Sequence, residues 1–140
     1  MLEKGIKNTI EETVTTAKSA KSVGSGNLNV YATPTMISLM EKCCFESVEK
    51  ELDKGYTTVG SSINFDHVSP SPIGAKIICY STLSDIEGKK LLFTVKIYDD
   101  FTLIGQGTHE RYIVNKEKFI NKAKNKKDAI KKAWDFFSGL

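Results

Sequence analysis

Apolar residues recur at helical spacing across residues 32–52, ATPTMISLMEKCCFESVEKEL, and this pattern predicts one long amphipathic helix. Thr33 stands where an N-cap is expected, and Pro34 suits the first helical position. The pattern ends near Lys54, and Gly55 follows as a typical residue for a helix terminus. The sequence therefore predicts a capped helix that buries one face.

Glu41 is the one charged residue that falls on the apolar side of this helix. On a wheel of about 100° per residue it lies between Val48 and Leu52, away from the other charged residues. A carboxylate buried there without a partner would be costly or would be protonated. Either the apolar arc is wide and Glu41 stands in water on its rim, or the carboxylate has a functional role.

After Gly55 the hydrophobic pattern changes from helical to alternating. Residues 56–68, 75–86, 91–99 and 103–114 are predicted strands, and the short turns between them favour antiparallel neighbours. A further short strand is predicted within residues 10–20. One long helix packed on an antiparallel sheet is an α+β architecture.

Composition is typical of a globular domain, with 40% hydrophobic and 26% charged residues in a chain of 140. No apolar run approaches the ~20 residues of a membrane span. The start of the chain, MLEKGIKNTIEETV, lacks the apolar segment of a secretory signal, so we expect a cytoplasmic protein.

The net charge of +3 comes mainly from the segment KEKFINKAKNKKDAIKK near the end of the chain. Ile130, Ala133, Trp134 and Phe137 have helical spacing there, which predicts one or two helices docked on the sheet edge or on a partner chain. A membrane surface or a polyanion is the alternative partner for such a basic amphipathic segment.

Three cysteines, Cys43, Cys44 and Cys79, form neither an even set nor a CxxC pair. This count predicts reduced, buried thiols rather than disulfides. Only His67 and His109 could join them as metal ligands, so no metal site is expected.

His67 ends the predicted strand 56–68, beside the turn SPSP, where a side chain is well placed for a site. An imidazole titrates near neutrality and suits general acid or base catalysis, although a lone histidine is often only structural. Thr33 precedes Glu41 by eight residues, about 12 Å of helical rise, so the two could line one groove without bonding directly.

His109 and Arg111 lie on one face of the last strand, together with Gly105 and Gly107. This face is either an exposed strand surface or a place where the glycines let a ligand or another backbone come close. The pattern alone leaves both interpretations open.

Three segments, VGSGNLNVYATPTMISLME, TTVGSSINFDHVSPSPIGAKI and IGQGTHERYIVNKEKF, resemble the thioesterase family typified by fluoroacetyl-CoA thioesterase. The resemblance covers about residues 8 to 124. It implies the hotdog fold, in which an antiparallel sheet wraps a long helix, and a dimer with its sites at the subunit interface. The implied activity is hydrolysis of a small or medium acyl-CoA thioester, with no cofactor because coenzyme A is part of the substrate.

The resemblance also implies roles for individual residues, with catalytic positions at Thr33, Glu41 and His67. His67 would act as general base or donate to the thiolate, Glu41 would activate the nucleophile or orient its partner, and Thr33 would position or supply the attacking oxygen. Both a covalent acyl-glutamate route and direct attack by water stay open. The implied substrate-binding residues are Gly60, Arg111 and Tyr31.

We expect a hotdog thioesterase-like domain over residues 1–125 and a basic amphipathic helical extension over residues 126–140. Lysines between 116 and 127 could meet the CoA phosphates. A homodimer or a tetramer is expected, with neither nucleic acid nor membrane as a partner. The alternatives are a non-catalytic acyl-CoA-binding or sensing module on the same fold and a structural dimer whose basic tail meets nucleic acid or membrane.

Overall fold

The computed structural model describes residues 1–139 of the chain. In chain order its elements are β1 (Lys7–Thr13), α1 (Ala20–Val23), α2 (Thr33–Val48), β2 (Tyr56–His67), β3 (Lys76–Glu87), β4 (Lys90–Tyr98), β5 (Leu103–Asn115) and α3 (Lys116–Ser138). Short 3₁₀ turns at Thr16–Lys18 and Glu49–Glu51 complete the list. The four strands predicted after the long helix are confirmed. The strand predicted within residues 10–20 begins earlier and ends at Thr13, because the chain then enters helical turns.

All five strands join one antiparallel sheet in the order β1-β3-β4-β5-β2. β2 forms one edge of this sheet and pairs with β5, so that Gly60 lies opposite Arg111 and Ile63 lies opposite His109. This register brings the predicted functional residues of two distant segments next to each other.

The helix α2 packs on one face of the sheet and contacts β1, β2, β3 and β4. Its buried face meets alternate residues of β4, as the strand pattern predicted. Burial of each such side chain stabilises the fold by about 1.5–3 kcal/mol. The core residues of the two elements are Met36, Leu39, Met40, Cys43, Cys44 and Val48 on α2 and Leu91, Phe93, Val95 and Ile97 on β4.

The two predicted ends of α2 need correction. Ala32, in an extended conformation, is the N-cap, so Thr33 is the first helical residue and its side chain caps nothing. The α-helix ends at Val48 rather than near Lys54, because the last turn tightens into a 3₁₀ turn and Leu52 is already extended. Gly55, with φ of 88°, makes the turn into β2.

A β-bulge between Gly60 and Ser62 interrupts the alternation of β2. For this reason Val59 and Ile63 do not share a buried face: Val59 is half-buried, whereas Ile63 is 44% exposed. Such an irregularity re-aims side chains locally and is common beside functional sites.

The three cysteines are free thiols and all are buried, as the sequence predicted. The final helix, α3, forms a single element that contacts β5, and all of its residues are exposed. Docking of this segment along the sheet of its own chain was therefore a wrong expectation. Among residues 1–139, the structure has no helix with both the length and the apolar character needed to cross a membrane.

Candidate active site

Thr33 and His67 form a direct contact at the N-terminus of α2. Thr33 Oγ1 lies 2.8 Å from Nδ1 of His67, the last residue of β2. The contact exists because Thr33 is the first helical residue instead of the cap, which leaves its hydroxyl free to reach the strand. A hydroxyl paired with an imidazole is the arrangement in which a proton can be withdrawn from an oxygen nucleophile.

His67 is half-buried, and desolvation lowers its pKa below the ordinary value. The nearby backbone of Ser69 acts in the opposite direction on this pKa and only partly offsets the effect of burial. The Nε2 atom is buried and has no hydrogen-bond partner within residues 1–139. His67 is therefore neutral near pH 7, and Nδ1 is the ring nitrogen that faces Thr33.

An open cleft of about 350 Å³ borders this pair. Its wall is made by the loop before α2 and by the turn after β2, which the prolines fix. The lining residues are Ala20, Ser25, Val30, Tyr31, Thr33, His67, Val68, Ser69 and Pro70. A cleft of this size, lined by both apolar and polar side chains, is suited to a small acyl group.

Tyr31 stands behind His67 and is buried. Its ring meets the imidazole edge-on at 6.5 Å between centroids, and its hydroxyl donates to the Glu12 carboxylate. Burial and this acidic partner raise the pKa of Tyr31 well above its ordinary value. The tyrosine ring thus fixes the position of His67, while the hydroxyl is already occupied by the protein.

Glu41 lies eight residues further along α2, about 12 Å of helical rise from Thr33, in a second cluster. Arg111 Nη1 donates to Glu41 Oε2 at 3.3 Å, and His109 Nε2 lies 3.9 Å from the same oxygen. The Glu41 side chain is 40% exposed, whereas that of Arg111 is 7% exposed. The carboxylate therefore stands on the rim of the apolar arc, with one side in water and one side against a buried cation.

Arg111 is held in place by several protein acceptors. Its Nε donates to Thr58 Oγ1 at 2.8 Å and its Nη2 to the Thr58 carbonyl at 3.0 Å. Phe45 covers the guanidinium, with its ring centroid 5.9 Å from Cζ. A guanidinium with this many fixed partners is a rigid support for the carboxylate next to it.

The tautomer of His109 follows from its two neighbours. Nδ1 lies 2.8 Å from the Ser62 carbonyl and must donate to it, so Nε2 carries the lone pair and accepts from Arg111 Nη1 at 3.1 Å. Burial, and secondarily the charge of Arg111, lower the pKa of His109. His109 is thus a neutral acceptor that orients Arg111.

Gly60 provides the space that the Glu41 carboxylate occupies. A Cβ atom at this position would lie 2.7 Å from Glu41 Oε2 and 3.2 Å from His109 Cε1. Any side chain here would push the carboxylate away from Arg111. This contact gives Gly60 a steric reason to be at the site.

The six residues predicted from the sequence therefore form two groups within one chain. Tyr31, Thr33 and His67 meet at one end of β2, and Glu41, Gly60 and Arg111 meet towards the other. Eight residues of α2 separate Thr33 from Glu41, about 12 Å of rise. Each group alone is half of a constellation for acyl transfer: a hydroxyl with a base in one, a fixed carboxylate in the other.

Two residues of the second group were missed or undervalued in the sequence. Thr58 has no distinguishing pattern, since its role depends on the β2–β5 register. His109 was identified on one face with Arg111, and that face is buried rather than an exposed strand surface. The close approach allowed by Gly105 is used by Phe65 and Met36, which would lie 2.7 and 2.8 Å from a Cβ there.

Sequence comparison with known proteins supports the resemblance to this thioesterase family. The family model described as "Fluoroacetyl-CoA-specific thioesterase" matches residues 14–117. The chain is 34% identical over 100 residues to the fluoroacetyl-CoA thioesterase of Streptantibioticus cattleyicolor, which spans 71% of this chain and 72% of that protein.

Solved structures agree with the sequence comparison. The fluoroacetyl-CoA thioesterase FlK superposes with a TM-score of 0.84 at 28% identity, covering 90% of this chain and 98% of FlK. A hypothetical Thermus thermophilus protein of the thioesterase superfamily gives 0.87 at 23% identity, over 94% and 97% of the two chains. A hot-dog-like protein from Thermanaerovibrio acidaminovorans gives 0.82 at 16% identity, over 89% and 93%. The fold is thus the expected hotdog fold.

Proposed function

Since this chain belongs to the fluoroacetyl-CoA-specific thioesterase family, we propose that it hydrolyses small or medium acyl-CoA thioesters at a site shared between two subunits. The chain is an acyl-CoA thioester hydrolase, which releases a free acid and CoA. The open cleft of about 350 Å³ beside Thr33 and His67 supports an acyl group of limited length.

The observation that carries the proposal is the 2.8 Å contact between Thr33 Oγ1 and His67 Nδ1. A neutral His67 withdraws the proton from the attacking oxygen as that oxygen bonds to the thioester carbon. The oxyanion that forms lies near the N-terminus of α2, where the helix dipole favours negative charge. When the carbon–sulfur bond breaks, His67 returns the proton to the CoA sulfur.

Glu41 supplies the second half of the site. Arg111, fixed by Thr58 and oriented by His109, holds the Glu41 carboxylate in place through an ion pair. Glu41 either attacks the thioester carbon itself, which expels CoA and leaves an acyl-glutamate for a water deprotonated by His67 to hydrolyse, or it holds the attacking water while His67 takes the proton of that water. In this proposal Gly60 and Arg111 position Glu41, and Tyr31 positions His67.

In this proposal a second subunit joins the two halves of the site, because Thr33 and Glu41 of one chain lie about 12 Å apart along α2. β2 lies at the sheet edge with Ser61–Asn64 exposed, and a free edge of this length favours strand pairing between copies. An antiparallel pairing of two β2 strands about a two-fold axis near the middle of the strand brings the Gly60 end of one strand towards the His67 end of the other. Each dimer would then have two complete sites.

A panel of CoA thioesters from acetyl and fluoroacetyl to longer chains, with a thiol reagent for released CoA, tests the activity and its preference. We expect turnover with short and medium chains that falls as the chain outgrows the cleft. Substitution of Glu41 or His67 by alanine should lower the rate by about 10²-fold or more and leave a small residual rate. Binding of these thioesters without turnover would contradict the proposal.

Mixed dimers test the shared site. When His67→Ala and Glu41→Ala subunits are mixed, one site per mixed dimer regains Thr33 and His67 from one chain and Glu41 from the other, so activity should return. The matched control mixes His67→Ala with Thr33→Ala, which leaves every site defective. If neither mixture recovers, or if both do, the shared site is wrong.

A further inference from the structure

The final helix, α3, carries an apolar side that the rest of the chain leaves uncovered. Five residues fall within about 60° of one another on a helical wheel; this apolar stripe is Phe119, Ala123, Ile130, Trp134 and Phe137. Three of its large side chains, Ile130, Trp134 and Phe137, are 50%, 69% and 66% exposed. So many exposed aromatic and aliphatic groups on one side indicate a surface that binds something.

The charges of α3 are arranged around this stripe. The helix has eight lysines and three acidic residues, a net charge of +5, which leaves −2 for the rest of a chain whose total is +3. The acidic residues, Glu117, Asp128 and Asp135, lie within about 20° of one another on the far side of the helix. Lysines border the stripe on both sides, with Lys124 and Lys131 on one side and Lys122 and Lys118 on the other.

This arrangement is complementary to a flat, negatively charged, partly apolar surface. Aliphatic and aromatic groups of the stripe enter it, the flanking lysines extend their ammonium groups to its anions, and the carboxylates point away into water. Two copies of α3 would not pair well along the stripe, because lysines on both borders repel each other where a coiled coil needs opposite charges. Nucleic acid would use the lysines but not the stripe.

We propose that α3 is a membrane-surface helix, which lies in the plane of an anionic lipid bilayer with its apolar stripe at the boundary of headgroups and acyl chains. This replaces the expectation that the protein has no membrane partner. Lys126 and Lys127 interrupt the stripe between Ala123 and Ile130, so the segment from Ile130 to Phe137 makes the deeper contact. The inference is independent of the catalytic proposal, since α3 carries none of its residues.

The single tryptophan of the chain, Trp134, lies in the stripe and reports on α3 alone. Full-length protein is mixed with vesicles of phosphatidylcholine alone or of phosphatidylcholine with phosphatidylglycerol. We expect a blue shift of Trp134 emission and co-sedimentation with the anionic vesicles only, both reversed by raising the salt to about 0.5 M. Equal binding to neutral vesicles, or none to either, would overturn the proposal.

Neighbouring phenylalanines provide a matched pair of variants. Phe137 belongs to the stripe, whereas Phe136 is equally exposed at 65% but lies about 120° from its centre. Phe137→Ser should weaken vesicle binding about tenfold, because one inserted aromatic ring is lost, and Phe136→Ser should leave it nearly unchanged. Circular dichroism checks that both variants keep their helix content.

Three other results would contradict the proposal. The first is an equal effect of the two serine substitutions. The second is a blue shift that appears without vesicles as protein concentration rises, which would mean that α3 binds a second copy of itself. The third is a shift with oligonucleotides in the absence of any shift with anionic vesicles.

Discussion

Thr33 Oγ1 meets His67 Nδ1 at 2.8 Å although 34 residues of chain separate the two. The contact depends on a small detail of the helix start. Ala32 is the N-cap, so the Thr33 hydroxyl is not bound to a backbone N–H of its own helix, as a capping hydroxyl would be. Threonine at a helix start often serves as the cap, but here the Thr33 hydroxyl is free to contact His67.

Replacement of Thr33 tests whether that hydroxyl acts in catalysis. Thr33→Val keeps the shape but removes the oxygen, and we expect kcat to fall by about 10²-fold or more, in the range typical of losing acid–base assistance. Thr33→Ser keeps the oxygen and should retain most of the activity. Both variants should unfold at nearly the wild-type temperature, because Thr33 is exposed and caps nothing. A fully active valine variant would remove Thr33 from the mechanism.

The pH dependence of activity follows from the burial of His67. Desolvation lowers the pKa of His67, so the neutral base persists below the ordinary histidine value of about 6.5. We expect kcat/KM to rise with pH through a midpoint below that value and then to level off. An activity that instead requires protonated His67, and so falls as pH rises through this region, would contradict the role of base.

Stability changes in the same pH region and must be measured beside activity. Burial lowers the pKa of both His67 and His109, so between the ordinary and the lowered values the unfolded chain binds protons that the folded chain does not. The free energy of unfolding therefore falls as pH decreases through this window, by at most about 1.4 kcal/mol per pH unit for each histidine. Circular dichroism across the window separates this loss from the titration of activity.

The sequence was sufficient to predict the helices and strands in which apolar residues recur at a regular spacing. Alternation identified β4, with Leu91, Phe93, Val95 and Ile97 buried as expected. Helical spacing likewise identified α2 and singled out Glu41. The spacing of apolar residues indicates which face of a helix or strand a side chain occupies. For this reason the buried faces of α2 and β4 could be predicted.

The environment of Glu41 could not be obtained in this way. Its partners Thr58, His109 and Arg111 come from two strands whose register includes a bulge, and no local pattern encodes that register. The prediction that Thr33 caps α2 was wrong for a related reason. Whether Ala32 or Thr33 is the N-cap depends on where the chain enters the helix, which the local sequence does not determine. The family resemblance named six residues that the structure brings together in two groups, but the close approach of Gly60 to Glu41 is visible only in the structure.

Gly60 offers a test of how tightly Glu41 is positioned. Gly60→Ala would place a methyl group 2.7 Å from the present site of Glu41 Oε2, so the flexible, partly exposed carboxylate must move. We expect kcat to fall by about tenfold or more, because small displacements of a reacting group are costly, while the unfolding temperature changes little. In a Glu41→Ala background the same substitution should have no further effect on kcat. An equal further loss in that background would mean that Gly60 acts separately from Glu41.

Arg111 and Glu41 should differ in what they contribute to stability, although they form one ion pair. Arg111→Lys removes the donors to Thr58 Oγ1 and to the Thr58 carbonyl, both buried, and should lower the free energy of unfolding by about 2–4 kcal/mol. Glu41→Gln removes a charge that is 40% exposed and screened by water, so its cost should stay below about 1 kcal/mol. Both variants should lose activity, since the lysine no longer fixes Glu41 and the uncharged glutamine can neither attack the thioester carbon nor hold the attacking water as strongly. Urea unfolding of the two proteins, beside the rate of CoA release, separates the effects. If Glu41→Gln destabilised the fold as much as Arg111→Lys, Glu41 would be a structural partner rather than a residue kept for chemistry.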